Sequence, residues 1–198
     1  MSLTKKMTSR ELGLVLAQQL LDVEDLHYGL WDPDMQLSLG NIALAQQRYT
    51  AMLLELIRSL LSGHPAPCIL DVGCGTGHIL QHLIEHGYQA DAVNPSAHLN
   101  KLVRERLAAL QHRSTTLYET AFESLPLEHS RHQYDLLLFS ESFQYIHLPD
   151  IFALAPELLR SGGRMVICDF FKTEAHSDGG EGDRSFSGGH LLGLFYES

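Results

Sequence analysis

Apolar residues recur in two rhythms along this chain, and the change between them divides it. Over residues 8–22, Leu12, Val15, Leu16, Leu20 and Leu21 return at helical spacing, and Ser9 can cap the turn before them. The periodicity lapses over 23–41, where Pro33 marks a turn. It resumes over 41–61. Ile42, Ala45, Tyr49, Met52, Leu53, Leu56, Ile57 and Leu60 share one face, and Gln46, Gln47, Glu55 and Arg58 point away. From Cys68 onward, short apolar runs alternate with helical ones. The runs at 68–72, about 88–93, near 115–119, 134–140 and 164–170 predict strands; 77–86, 97–111 and 149–160 predict helices. Such alternation means an α/β domain with a mostly parallel sheet and right-handed crossovers.

The resulting organisation is an N-terminal helical cap or lid over 1–62, a core over 63–170 and a flexible, incomplete segment over 171–198. From His176 to Gly189 the chain is rich in Gly, Ser and Asp and reads as a mobile loop.

Length and composition narrow the class. A chain of 198 residues favours one domain with a sizeable core. Its formal charge of −10, without a basic block, argues against a nucleic-acid partner, because phosphate contacts need clustered Lys or Arg. No signal-peptide pattern and no apolar run near the ~18 residues of a membrane span are visible, so a cytoplasmic protein without a membrane partner is expected. Cys68, Cys74 and Cys168 form no CxxC pair, and the histidines lack paired ligand spacing. Neither a disulfide framework nor a metal site is expected.

The densest chemistry lies at Asp71-Val-Gly-Cys-Gly-Thr-Gly77, between a predicted strand and a predicted helix. Strand, glycine turn and helix together present backbone N–H groups to a ligand at the carboxyl edge of a sheet. The dinucleotide fingerprint needs glycine at its first, third and sixth positions. Counting from Gly73, the sixth is His78, and a nicotinamide-dependent oxidoreductase is disfavoured on that ground and on Asn94 at the ribose position.

The pattern Asp-x-Gly-x-Gly-x-Gly instead resembles motif I of the class I S-adenosylmethionine (SAM)-dependent methyltransferases, of the small-molecule type. The resemblance covers about residues 25–170. It implies a three-layer Rossmann-like sandwich with strand order 3-2-1-4-5. The family's sheet usually continues into two antiparallel hairpin strands, 6 and 7. The 28 residues after Phe170 cannot hold the loop, a helix and both strands, so those two strands are expected to be missing.

The same resemblance implies the site. Asp71, Gly73, Cys74, Gly75 and Gly77 would cradle SAM, with Asp71 holding the turn or attracting the ammonium; a strand-end cap is its plainer role. Asn94 replaces the usual acidic residue that takes the ribose hydroxyls, and alternatively closes an Asx turn before Pro95. Ala121 stands where the adenine loop is often acidic, and Phe122 either packs on adenine or belongs to the core. The Ser140 backbone would face the methionine part. Glu141 would bind a substrate group or the SAM ammonium, or be a solvated loop carboxylate. His147 is the candidate base, or a structural loop histidine. His27-Tyr28-Gly29-Leu30-Trp31 resembles a lid segment, in which Tyr28 and Trp31 either cover the methyl or pin the helices to the sheet. Ser187 to Leu191 resembles the start of the helix after strand five and adds His190 as a substrate-side residue.

The implied activity is SAM-dependent methyl transfer to O, N or C of a small molecule by in-line displacement, with S-adenosylhomocysteine as product and no metal required. A degenerate SAM-binding protein without turnover is the alternative. A bare fifth strand would invite an oligomer through its edge.

Overall fold

The computed structural model describes residues 25, 27–171 and 190–192, with Leu16 besides. The predicted helix over 8–22 and the loop from 176 to 189 lie outside the described residues. In chain order the elements are α1 (Ile42–Leu60), β1 (Cys68–Val72), α2 (His78–Glu85), β2 (Gln89–Val93), α3 (Ala97–Ala109), β3 (Leu117–Tyr118), β4 (Tyr134–Ser140), α4 (Leu148–Leu158), β5 (Leu159–Phe170) and β6 (His190–Leu192).

The strands form one sheet in the order β3-β2-β1-β4-β5-β6. The first five are parallel, in the expected order 3-2-1-4-5. β6 is a correction: a short antiparallel strand pairs Leu192, Leu191 and His190 with Cys168, Asp169 and Phe170 of β5. His190 therefore sits in an edge strand rather than at the start of a helix, and part of the edge expected to be bare is paired. β3 is shorter than expected because side chains replace its ladder. Thr115 Oγ1 donates to Ala90 O at 2.8 Å, and Thr116 N donates to Asp91 Oδ1 at 2.7 Å.

Alternation along the central strands sorts two cores. Ile69, Leu136 and Leu138 face α1 and α2, where they meet Tyr49, Leu53, Ile57, Leu80 and Leu83. Leu70, Val72, Leu137 and Phe139 face the other way, onto Ile151, Ala155 and Leu158 of α4. A period of two on the strands and 3.6 on the helices thus gives three layers. Both central strands are buried on both faces, which is why they read as unbroken apolar runs. α1 belongs to this core rather than to a separate cap: Tyr49, Leu53 and Ile57 are fully buried against the sheet. Among the described residues, no helix is long and apolar enough to cross a membrane.

Candidate active site

The carboxyl ends of β1, β2 and β4 open into a cavity of about 740 Å³, within the usual size range of ligand sites. The turn after β1 forms its floor. Gly73, Gly75 and Gly77 all have positive φ, at 75°, 56° and 80°. Gly73 is required twice over, since a Cβ there would lie 2.6 Å from Ser142 Cβ in the loop after β4. Gly77 lets α3 approach, because its Cβ would come within 3.1 Å of Val103. Gly73 N–H donates to Val93 O and Gly77 N–H to Cys74 O, both at 2.8 Å, so the turn is fixed from within.

Asp71 is 1% exposed and lines the cavity. Its Oδ2 is buried without a hydrogen-bond partner. Burial, with Asp25 nearby, pushes its carboxyl up to about 7. A buried acceptor left open in this way fits a ligand that brings an N–H donor. Burial and Asp71 also push the Cys74 thiol far up, so Cys74 serves as a small apolar wall.

Sequence reasoning gave Asp25 no role, yet it organises one end of the cavity. Its Oδ2 pairs with His27 Nε2 at 2.9 Å and with His78 Nδ1. Burial raises its carboxyl, but the two histidine hydrogen bonds outweigh this and hold it well below the usual range. His78, the residue that breaks the dinucleotide fingerprint, is thus a partner of this carboxylate. Gln46, expected to face away, is buried and donates to Asp25 O at 3.2 Å and His27 O at 2.8 Å. Those carbonyls need a donor because their segment has no ladder of its own.

Of the expected lid, Tyr28 lines the cavity, is 64% exposed and meets Phe170 edge-on at 5.1 Å. Trp31 is not among the cavity residues. Its Nε1–H donates to Tyr28 O at 2.9 Å, so it braces the segment from behind.

Asn94 is buried at the cavity wall. Its Nδ2 donates to Gly75 O at 3.2 Å and its Oδ1 accepts from Ser96 N at 3.3 Å, the Asx turn foreseen as its alternative role. One N–H and one oxygen lone pair stay open for a ligand hydroxyl. Ala121 and Phe122 line the wall. Phe122 is also core, edge-on to Phe139 at 5.7 Å.

Ser140 Oγ is 2.9 Å from the Tyr49 hydroxyl. Glu141 adopts φ of 52°, rare for a residue with a side chain, and its N–H donates to Cys168 O at 2.7 Å. Its carboxylate lines the cavity and accepts the Tyr28 N–H at 3.2 Å. Burial pushes it to about 8, with Asp169 and Asp25 adding to the rise and the Tyr28 N–H opposing it. His147, in contrast, caps α4 outside the cavity lining, with an exposed ring 3.4 Å from Asp150 Oδ2. Leu148 and Pro149 begin the helix directly after it and turn the ring to solvent. Ser142, Tyr145 and Ile146 join the lining although sequence reasoning singled out none of them; their signal is that they directly follow Ser140 and Glu141 at the end of β4.

Residues 69–163 match the family model described as "methyltransferase domain". An uncharacterized methyltransferase of Alkaliphilus oremlandii is 23% identical over 111 residues, covering 54% of this chain and 48% of that protein. Geranyl diphosphate C-methyltransferase of Streptomyces coelicolor, solved with S-adenosyl-L-homocysteine, superposes with a TM-score of 0.63 at 18% identity, over 78% of this chain and 59% of that one. The cyclase SpnF superposes with a TM-score of 0.63 at 19% identity, over 85% and 62%. The chain spans about half the length of the curated relative it matches. Motif, sheet order and family match agree: residues 69–163 resemble the methyltransferase domain family, and the sheet has the fold of the solved methyltransferase on which it superposes.

Proposed function

We propose that this chain binds SAM at the Asp71–Gly77 turn and transfers its methyl group to a small molecule. The observation that carries this reading is the buried, unpartnered Asp71 oxygen beside a glycine turn in a cavity of suitable size. A ligand ammonium would satisfy that oxygen, and the α-amino group of SAM is one. Asp71 and Asp25 would face the ammonium, Asn94 the ribose, Ala121 and Phe122 the adenine, and the Ser140 backbone the methionine part. When bound, SAM supplies a methyl carbon already activated by its sulfonium. What remains for these residues is to fix the approach of the acceptor and keep water out.

A second reading, SAM binding without turnover, is favoured by one observation. Asn94 already gives one N–H to Gly75 O and one lone pair to Ser96 N, and it lacks the charge and the paired acceptors with which a carboxylate could grip both ribose hydroxyls.

Calorimetric titration with SAM, S-adenosylhomocysteine and NAD, followed by labelled-methyl transfer to a metabolite panel, tests both. Micromolar affinity for the first two and none for NAD is expected; the reverse would sink the proposal. Binding without transfer to any panel member would favour the second reading.

His147→Ala is expected to leave S-adenosylhomocysteine affinity within about twofold and any pH profile of methyl transfer unshifted, because its ring stands in solvent. A shifted profile would restore His147 as a base.

A further inference from the structure

Along the sequence the histidines form no ligand pair; on the folded α2, two of them do. His78 and His82 stand four residues apart in this helix, a spacing that puts both side chains on one face. Their Nε2 atoms are 3.2 Å apart and their ring centroids 4.6 Å. Two imidazole nitrogens on one zinc ion, each ~2.1 Å from it, lie about 3.0–3.4 Å apart. The rings are thus already spaced as two ligands of one ion. Behind each ring stands a carboxylate. His78 Nδ1 pairs with Asp25 Oδ2, and His82 Nδ1 is 3.3 Å from Glu85 Oε2. A carboxylate on the far nitrogen orients a metal-ligating histidine, fixes its proton on Nδ1 and makes its Nε2 more basic. The two carboxylates also offset the charge that an ion brings. Both rings are partly exposed, at 18% and 30%, so a small ion can reach them, and neither lines the cavity. Among the described residues no group of three or more such side chains converges, so the described ligand set is this pair. His86, one turn on, is engaged elsewhere: its Nδ1–H donates to His82 O at 2.8 Å.

We propose that His78 and His82 bind a late first-row divalent cation such as zinc through their Nε2 atoms, with Asp25 and Glu85 as the carboxylates behind them. Imidazole suits zinc, copper and nickel, whereas magnesium and calcium prefer oxygen. Without an ion, the two Nε2 atoms share one N–H. With it, both present lone pairs to the metal, and both Nδ1 atoms carry protons donated to Asp25 and Glu85. The ion therefore clamps α2 to the segment before α1, which supplies Asp25 and His27 to the cavity wall. The site does not rest on the SAM reading, since neither ligand lines the cavity.

The test titrates the full chain, freed of metal, with zinc chloride, followed by calorimetry and by imidazole nitrogen NMR. A first zinc ion is expected to bind in the micromolar range, to move the His78 and His82 Nε2 signals together and to raise the urea midpoint. Magnesium is expected to do none of these. His82→Ala should weaken zinc binding at least tenfold. Asp25→Asn should weaken it about tenfold, the usual effect of removing a carboxylate behind a ligand. His86→Ala should leave it unchanged. Zinc that first moves the signals of other histidines, affinity only in the millimolar range, or equal affinity in H82A means an adventitious ion only and overturns the proposal. A magnesium effect as large as that of zinc overturns it too. The nitrogen spectra of the wild-type chain decide even where a variant does not fold.

Discussion

Alanine at Gly73 is expected to lower stability by about 3 kcal/mol and S-adenosylhomocysteine affinity on the order of a hundredfold. The stability loss has two parts. An L-residue at φ of 75° costs about 1–2 kcal/mol. The new Cβ would also stand 2.6 Å from Ser142 Cβ, so Ser142 must move. That movement breaks its hydroxyl bond to Val72 O, a net loss of about 1 kcal/mol. The affinity loss follows because Ser142 and Gly73 are neighbouring walls of one cavity. Gly87→Ala supplies the control, with φ of 84° and nothing within 4 Å of its Cβ. It carries the backbone strain without the collision and should leave affinity unchanged. Adding Ser142→Gly to the Gly73 variant should recover part of both losses. Urea unfolding and calorimetry read the two effects separately. Equal losses from Gly73→Ala and Gly87→Ala would show that the collision does not matter.

The second large effect is a fall in the stability of the ligand-free chain as pH rises from about 4 to about 8. Asp71 titrates near 7 and Glu141 near 8 when folded, both above their ordinary values of 3.8 and 4.5. Between those limits the folded chain binds more protons than the unfolded one, so stability drops with pH. The contribution is fully present below pH 4 and lost by the time pH has passed 8. Its size is on the order of a few kcal/mol over the window, since each tenfold change in proton affinity on folding is worth about 1.4 kcal/mol. His82, whose charged form burial disfavours, adds an opposite slope around its ordinary titration range. The informative quantity is therefore the difference between variant and wild type. Asp71→Asn and Glu141→Gln should each flatten the decline, measured as urea midpoint against pH. Saturating SAM should also flatten the Asp71 share, because an ammonium partner restores its charged form. A Glu141→Gln profile parallel to wild type would mean that the carboxyl is better solvated than its surroundings suggest.

The parts of this molecule legible in its sequence are those whose cause is local. β1, β4 and the glycine turn follow from a run of apolar residues and three alternate glycines, and they lie where the pattern puts them. The strand order comes with the family resemblance. What the sequence does not show is decided by partners distant along the chain. Helical spacing turns Gln46 outward, but two carbonyls of an unladdered segment pull it in. In the sequence His78 only breaks a fingerprint; in the fold it holds Asp25, 53 residues away. Nearness to Ser140 and Glu141 makes His147 a candidate base, and the helix start one residue later carries it away from the cavity. Glu141 is visible as a carboxylate, but the left-handed backbone and the Tyr28 contact that aim it are not.

The hydrogen bonds that close this cavity span unusual lengths of chain. Tyr28 reaches Glu141 across 113 residues, and Tyr49 reaches Ser140 across 91 and Cys168 across 119. Each such closure costs chain entropy before it returns any contact energy, and contacts of this kind slow folding. The glycine turn and its flanking strand and helix can form early from neighbouring residues, but the cavity cannot. During refolding, far-ultraviolet signal should therefore recover ahead of ligand-binding competence. During synthesis, that competence should wait until β5 has left the ribosome.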